Sequence, residues 1–92
     1  MSKYARKVDG NQTFVVSALL QVGCEVEDLS AAGRGFPDLV VQLGGRVYLM
    51  EIKNPAGKNR LTEAQIKFNK RFPVHVVRSA EEAIRVVTKN EK

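Results

Sequence analysis

Apolar positions recur with two different periods along the chain, and this pattern predicts a mixed α/β protein. Between residues 4 and 22 the spacing is helical and predicts an amphipathic helix that ends near Gly23. The helix could instead begin at Asp9, which has the spacing of a capping box with Gln12. From Glu25 to Leu29, apolar and acidic residues alternate and predict a short strand. The apolar positions of the helix are Tyr4, Val8, Val15, Leu19 and Val22.

Residues 35 to 53 contain two apolar, β-branched runs that flank Gly44-Gly45, a dipeptide suited to a tight turn. The pattern predicts a β-hairpin. If the turn consists of these two glycines, Asp38 faces Glu51 across the strands, whereas a three-residue turn would separate them. Both faces of the runs are apolar, so we expect helices to cover the sheet.

The second half of the chain predicts a helix, a strand and a helix. Thr62 and Gln65 have capping-box spacing, and Pro73 ends the helix that they begin. The pattern at residues 74 to 77 predicts a buried strand, and Ser79 is the predicted cap of a last helix from residue 80 to about 89. The fold class is therefore α/β, with an αβββαβ core and a C-terminal helix in a single domain of residues 1 to 92.

Fifteen Lys and Arg residues against ten Asp and Glu give a formal charge of +5. This excess favours a polyanionic partner, and the lack of an aromatic-rich amphipathic helix favours nucleic acid over a membrane. No apolar run approaches the roughly 18 residues that span a bilayer. We therefore expect a cytoplasmic protein with no membrane partner.

The single cysteine, Cys24, excludes an internal disulfide and a cysteine-rich zinc cluster, and it is best explained as a small buried residue. His75 is also best explained as structural, because it lies far along the chain from the carboxylates.

If Asp38 and Glu51 are opposed, their Cβ atoms lie about 5 Å apart, and like charges placed there repel unless something compensates. The Ile52 carbonyl lies beside them, and Lys53 lies on the same strand face as Glu51. Two carboxylates and a carbonyl are suitable ligands for Mg²⁺, which keeps several waters.

The segments Gly35-Phe36-Pro37-Asp38-Leu39, Glu51-Ile52-Lys53 and Leu61-Thr62-Glu63-Ala64-Gln65 resemble the PD-(D/E)XK nuclease superfamily, and specifically its VRR-Nuc (virus-type replication-repair nuclease) branch. The resemblance covers almost the whole chain. It implies a restriction-endonuclease-like fold with a central mixed sheet flanked by helices.

The resemblance also implies roles for individual residues. Asp38, Glu51 and the Ile52 carbonyl would hold the metal. The catalytic residues would be Asp38, Glu51, Lys53 and Gln65. Gln65 would assist catalysis, although a capping box explains it equally well. Asp9 and Gln12 could be accessory site residues, or they could instead form the capping box of the first helix. The positions of the cations themselves, rather than the resemblance, predict phosphate contacts by Arg34, Lys58, Arg60 and Lys67, although Arg34 could equally belong to an ordinary strand connection.

We therefore expect a Mg²⁺-dependent endodeoxyribonuclease in which Mn²⁺ can substitute. Similarity to stand-alone VRR-Nuc proteins implies a homodimer acting on four-way (Holliday) junctions or related branched DNA. One alternative is a flap or nicking nuclease that works as a subunit of a repair machine. Another is a catalytically silent nucleic-acid-binding module whose charged cluster is structural.

Overall fold

The computed structural model describes residues 10–54 and 61–89. Its element order is helix, three strands, helix, strand, helix, as the sequence predicts. The helices are α1 (Gly10–Gln21), α2 (Glu63–Arg71) and α3 (Ala80–Thr88). The strands are β1 (Glu25–Asp28), β2 (Leu39–Leu43), β3 (Arg46–Ile52) and β4 (Val74–Val77), and a short 3₁₀ turn lies at Ser30–Ala32.

The four strands form one mixed sheet in the order β1-β2-β3-β4. The first three strands are antiparallel neighbours, whereas β4 runs parallel to β3 after the crossover through α2. This arrangement confirms the predicted α/β, restriction-endonuclease-like architecture, with a mixed sheet and three flanking helices.

The β2–β3 turn has the two residues that the sequence predicts. Gly44 and Gly45 have φ values of 61° and 85°, the left-handed conformations that a two-residue hairpin turn requires. Leu43 therefore pairs with Arg46, and the ladder runs back to Leu39 opposite Met50. The register predicted from the Gly-Gly turn is confirmed.

One face of the sheet carries the hydrophobic core, against which α1 and α3 pack. Strand alternation directs alternate side chains of β2 and β3 to this face. The core residues of the two helices and the sheet are Val15, Leu19, Leu39, Val41, Tyr48, Met50, Ile52, Val77, Ala83 and Val87. Cys24 is also buried in this core, as expected, and burial raises the pKa of its thiol.

The opposite face of the hairpin is less covered than the sequence suggests. Val40 and Leu49 are half-buried there, and Val47 is 65% exposed. The expectation of burial on both faces therefore holds for the α1/α3 side only. The less covered face carries the candidate site at one end, where α2 contacts it.

The described part of α1 ends close to the predicted position, and the part predicted for residues 4 to 9 lies outside the described residues. The α2 and α3 caps form as predicted, with Thr62 accepting from the Gln65 backbone N–H and Ser79 accepting from that of Glu82. In the described ranges, no helix has both the length and the apolar character needed to cross a membrane.

Candidate active site

Asp38 lies one residue before β2, and Glu51 lies near the end of β3. Because the β2–β3 ladder pairs Leu39 with Met50, the next position brings Asp38 opposite Glu51. Oδ2 of Asp38 accepts a 2.8 Å hydrogen bond from the backbone N–H of Ile52. The Asp38 carboxylate is thus fixed against the strand that carries Glu51, as the hairpin register predicts.

Glu51 is buried, with only 5% of its surface exposed. Its Oε2 lies 3.5 Å from Nζ of Lys53 and accepts a 2.7 Å hydrogen bond from Nε2 of Gln65. The Lys53 side chain is itself only 14% exposed. The structure therefore brings together three of the predicted catalytic residues, with Asp38 directly across the hairpin.

The Glu51 carboxyl binds its proton more tightly than an exposed glutamic acid does. Burial raises its pKa to about 7, and the neighbouring Asp38 charge adds to the increase, while Lys53 and Gln65 act in the opposite direction. Burial is thus the main cause of the raised pKa, and the charge of Asp38 adds to it. A further positive charge beside these carboxylates would stabilise the ionised form of Glu51.

Gln65 forms the capping box that its sequence position predicts, and its amide also contacts Glu51. Its Oε1 accepts from the Thr62 backbone N–H at 2.9 Å and so completes the capping box of α2. Its Nε2 donates to Glu51. One amide therefore connects the start of α2 to the buried carboxylate.

Asn11 is a neighbour of the site that the sequence interpretation missed. Its Nδ2 donates to the Lys53 carbonyl at 3.0 Å and to the Arg78 carbonyl at 3.1 Å. These bonds tie the start of α1 to the points where β3 and β4 end. The available signal was a pair of adjacent amide residues, Asn11 and Gln12, on a helix otherwise rich in apolar residues.

Gln12 is buried at 9% exposure, but its amide is directed to Asp28, to whose Oδ2 it donates at 3.1 Å. Asp28 also accepts from the backbone N–H and the hydroxyl of Ser30. The Leu29 backbone N–H donates to the Asp38 carbonyl at 2.7 Å. Gln12 thus supports the β1 end beside Asp38. The Asp-x-Ser sequence at residues 28 to 30 could have indicated this turn.

The cations predicted to contact phosphate fall into two groups. Arg34 and Lys67 are exposed. Gly35, which follows Arg34, lies against Ala64 of α2, the helix that carries Lys67. Lys58 and Arg60, like the possible accessory residue Asp9, lie outside the described residues.

His75 pairs with Met50, so it belongs to the face opposite Glu51, away from the carboxylates.

A groove of about 520 Å³ lies along β1, away from the carboxylates. Glu25 and Glu27 line it, together with apolar side chains such as Leu20 and Val40. Two glutamates oppose binding of a polyanion. The buried cluster at Glu51 is therefore the better candidate for phosphate chemistry.

Within residues 10–54 and 61–89, no group of three or more His, Cys, Asp or Glu side chains is close enough to hold a metal ion. Among the described residues, the ligands for a metal at Asp38 and Glu51 would therefore be these two carboxylates with backbone oxygen and water. That composition suits Mg²⁺ rather than zinc.

Comparison with known proteins gives one informative result. No protein-family model and no curated protein matches the chain. A solved structure described as a VRR_NUC domain superimposes with a TM-score of 0.67 and 26% sequence identity. The match covers 90% of this chain and 95% of that structure. The similarity to the VRR-Nuc family predicted from the sequence is thus confirmed, and the chain has the fold of a VRR-Nuc domain.

Proposed function

We propose that this protein is a metal-dependent DNA endonuclease of the PD-(D/E)XK type that hydrolyses phosphodiester bonds. The observation that carries the proposal is the buried Glu51 carboxylate, held between Lys53 and Gln65 and opposite Asp38. The similarity to a VRR-Nuc domain supports nuclease chemistry in general. The metal, the DNA structure and the oligomeric state are parts of the proposal.

The donor set fits Mg²⁺, because Asp38 and Glu51 repel each other and a cation between them relieves that repulsion. Both carboxylates, with the Ile52 carbonyl, would hold the ion. A bound Mg²⁺ supplies a water of lowered pKa and stabilises the additional negative charge of the phosphorane-like transition state. Mn²⁺ favours the same oxygen ligands and should substitute.

The chain's own residues have separate tasks in this scheme. Lys53 places an ammonium group at the reacting phosphate, where it offsets developing negative charge and orients the attacking water. Gln65 holds Glu51 in one orientation through its 2.7 Å hydrogen bond. The Ile52 N–H similarly holds Asp38. In the reaction a water oxygen would form a bond to phosphorus and release a proton to solvent, the bond from phosphorus to the leaving sugar oxygen would break, and that oxygen would take up a proton from solvent.

Phosphate contacts from Arg34 and Lys67, with Lys58 and Arg60, would supply salt-dependent affinity without reading sequence. One active site cuts one strand, so paired cuts in branched DNA require two copies of the chain. We therefore propose a homodimer that acts on four-way junctions or related branched DNA. Light scattering at the assay concentration tests this part, and a monomeric mass would contradict it.

The experiment that tests the proposal is cleavage of labelled duplex, flap and four-way-junction DNA in Mg²⁺, Mn²⁺ or EDTA. Wild type is compared with Lys53→Ala and with Lys89→Ala, which removes one exposed positive charge at the end of α3. We expect metal-dependent cutting that falls about 100-fold or more in Lys53→Ala and persists in Lys89→Ala. Cuts confined to flaps would favour a flap or nicking nuclease. Binding without cleavage in any metal would favour a silent nucleic-acid-binding module.

A further inference from the structure

Three phenylalanines form a continuous row beside the candidate site. The ring centroids of Phe36 and Phe68 are 5.4 Å apart, and those of Phe68 and Phe72 are 4.7 Å apart. The Arg71 guanidinium lies 5.0 Å from the Phe72 centroid and 5.6 Å from that of Phe68. We call Phe36, Phe68 and Phe72 the aromatic row.

Two segments of the chain connect the aromatic row to the candidate site. Phe36 lies two residues before Asp38, and the fully buried Pro37 between them limits their relative motion. Phe68 lies three residues after Gln65 on α2, which places it about 4.5 Å further along the helix axis. The row therefore extends along α2 from the carboxylate cluster.

Phe36 and Phe72, at the two ends of the row, are more exposed than residues of the hydrophobic core. Phe68 is 9% exposed, but Phe36 is 46% and Phe72 is 41% exposed. Two large aromatic surfaces in water are costly unless a partner covers them. Phe36 packs on Phe68, and Phe72 packs on Phe68 and Arg71, but these contacts leave a large part of both rings in solvent.

The charges around the row identify the kind of partner. Helix α2 carries Lys67, Lys70 and Arg71 against a single acid, Glu63. A partner that covers this helix should therefore be negatively charged and should also present flat apolar surface. Unpaired nucleotides combine these properties, since aromatic side chains stack on bases while neighbouring cations contact phosphate. Paired bases in an intact duplex are already stacked and expose only their edges.

We propose that the aromatic row binds unpaired bases of the DNA substrate by stacking, beside the phosphate that the site cuts. This inference rests on the proposed nuclease function and specifies its substrate, namely DNA with single-stranded or unstacked nucleotides next to the scissile bond. Phe36 and Phe72 are the stacking residues, and Arg71 and Lys67 contact the adjoining backbone.

The test is binding in EDTA, so that no cleavage occurs. Fluorescence anisotropy compares a blunt duplex with the same duplex carrying an unpaired 2-aminopurine extension. Wild type is measured beside the double variant Phe36→Leu/Phe72→Leu, which keeps apolar volume but removes the rings. The ring-retaining variant Phe36→Tyr/Phe72→Tyr is the matched control.

We expect wild type to prefer the extended DNA and to quench its 2-aminopurine fluorescence on stacking. The Leu variant should lose about tenfold in affinity for the extended DNA, with unchanged affinity for the blunt duplex, and the Tyr variant should retain both properties. Thermal unfolding confirms that the Leu variant is folded. Equal affinity of wild type for the two DNAs would overturn the proposal, as would unchanged preference in the Leu variant. Conversion of a wild-type dimer to monomers by the Leu variant would show instead that a second copy covers the row.

The two proposals fail in different ways. If wild type stacks the unpaired base but cuts no DNA in Mg²⁺ or Mn²⁺, the nuclease function is wrong and the base-binding surface stands. If wild type cuts DNA and the Leu variant keeps the preference for extended substrates, the nuclease function stands and the base-binding surface is wrong.

Discussion

Gln65 donates a 2.7 Å hydrogen bond from Nε2 to Oε2 of Glu51, and so links the first turn of α2 to a carboxylate buried at the end of β3. The Oε1 atom of the same side chain accepts a hydrogen bond from the Thr62 backbone N–H. Because both ends of the amide are engaged, its orientation is fixed by the helix cap. The cap of α2 and the geometry of the candidate site therefore depend on one residue.

The first prediction separates these two tasks of Gln65. Gln65→Ala removes both hydrogen bonds, whereas Thr62→Ala removes the cap hydroxyl but leaves the amide able to donate to Glu51. Each change should lower the free energy of unfolding by about 1 kcal/mol, as measured by denaturant titration. Cleavage should slow markedly in Gln65→Ala and remain near wild type in Thr62→Ala. Equal loss of cleavage in the two variants would assign Gln65 to the cap alone.

The second prediction concerns the stability of the metal-free protein as the pH changes. Burial raises the pKa of Glu51 from 4.5 to about 7, so the folded state holds a proton that the unfolded state releases. The stabilisation is fully present below pH 4.5 and is lost as the pH rises to about 7. Its size is on the order of 3 kcal/mol. Denaturant titrations in EDTA between pH 4.5 and 8 measure it.

Glu51→Gln is the control for this titration, because it keeps the shape of the side chain and removes its charge. We expect the variant to be folded and to be more stable than wild type at pH 8. The difference between the two proteins should shrink as the pH falls to 4.5. A difference that stays constant over this range would mean that Glu51 titrates at an ordinary pKa.

The third prediction follows from placing Mg²⁺ at Asp38 and Glu51. Mg²⁺ requires both carboxylates in their charged form, so each pH unit below 7 should weaken its binding about tenfold. The increase in melting temperature caused by a fixed Mg²⁺ concentration should therefore be large at pH 8 and small at pH 5.5. Asp38→Asn and Glu51→Gln should abolish the increase. An increase of equal size at both pH values, or one that persists in these variants, would place the ion elsewhere.

The register of the hairpin could be predicted because a single local signal determines it. Gly44 and Gly45 permit a two-residue turn, and strand alternation then fixes which side chains face each other. The opposition of Asp38 and Glu51 follows from that turn alone. The caps of α2 and α3 were predictable for the same reason, since each joins residues only three apart.

Contacts between distant segments could not be predicted in this way. The bonds of Asn11 to Lys53 and Arg78 span 42 and 67 residues, and no local spacing encodes them. The Gln12 side chain similarly reaches Asp28 across the α1–β1 connection. The partial exposure of Val40 and Leu49 also depends on where α2 is placed, which an apolar run in a strand does not determine.

The fourth prediction concerns Gly35, whose position against α2 brings the segment before Asp38 to the helix that carries Gln65. Gly35 has φ of 82°, and a Cβ added there would lie 2.5 Å from the Ala64 carbonyl oxygen. Gly45 has φ of 85°, but nothing lies within 4 Å of a Cβ added there. The two glycines therefore share a backbone conformation and differ in their surroundings.

Gly45→Ala should lower the free energy of unfolding by about 1 to 2 kcal/mol, because alanine tolerates a positive φ poorly. Gly35→Ala should cost about 1 to 3 kcal/mol more, because the backbone of α2 must also move away from the added methyl group. Denaturant titration of the two variants measures the difference, and cleavage by folded protein shows whether the displaced helix still presents Gln65 to Glu51. We expect Gly35→Ala to cut DNA more slowly than Gly45→Ala at equal folded concentration. Equal stability and equal cleavage in the two variants would mean that α2 does not depend on the close approach at Gly35, and that the Gln65–Glu51 bond is positioned by the rest of the fold.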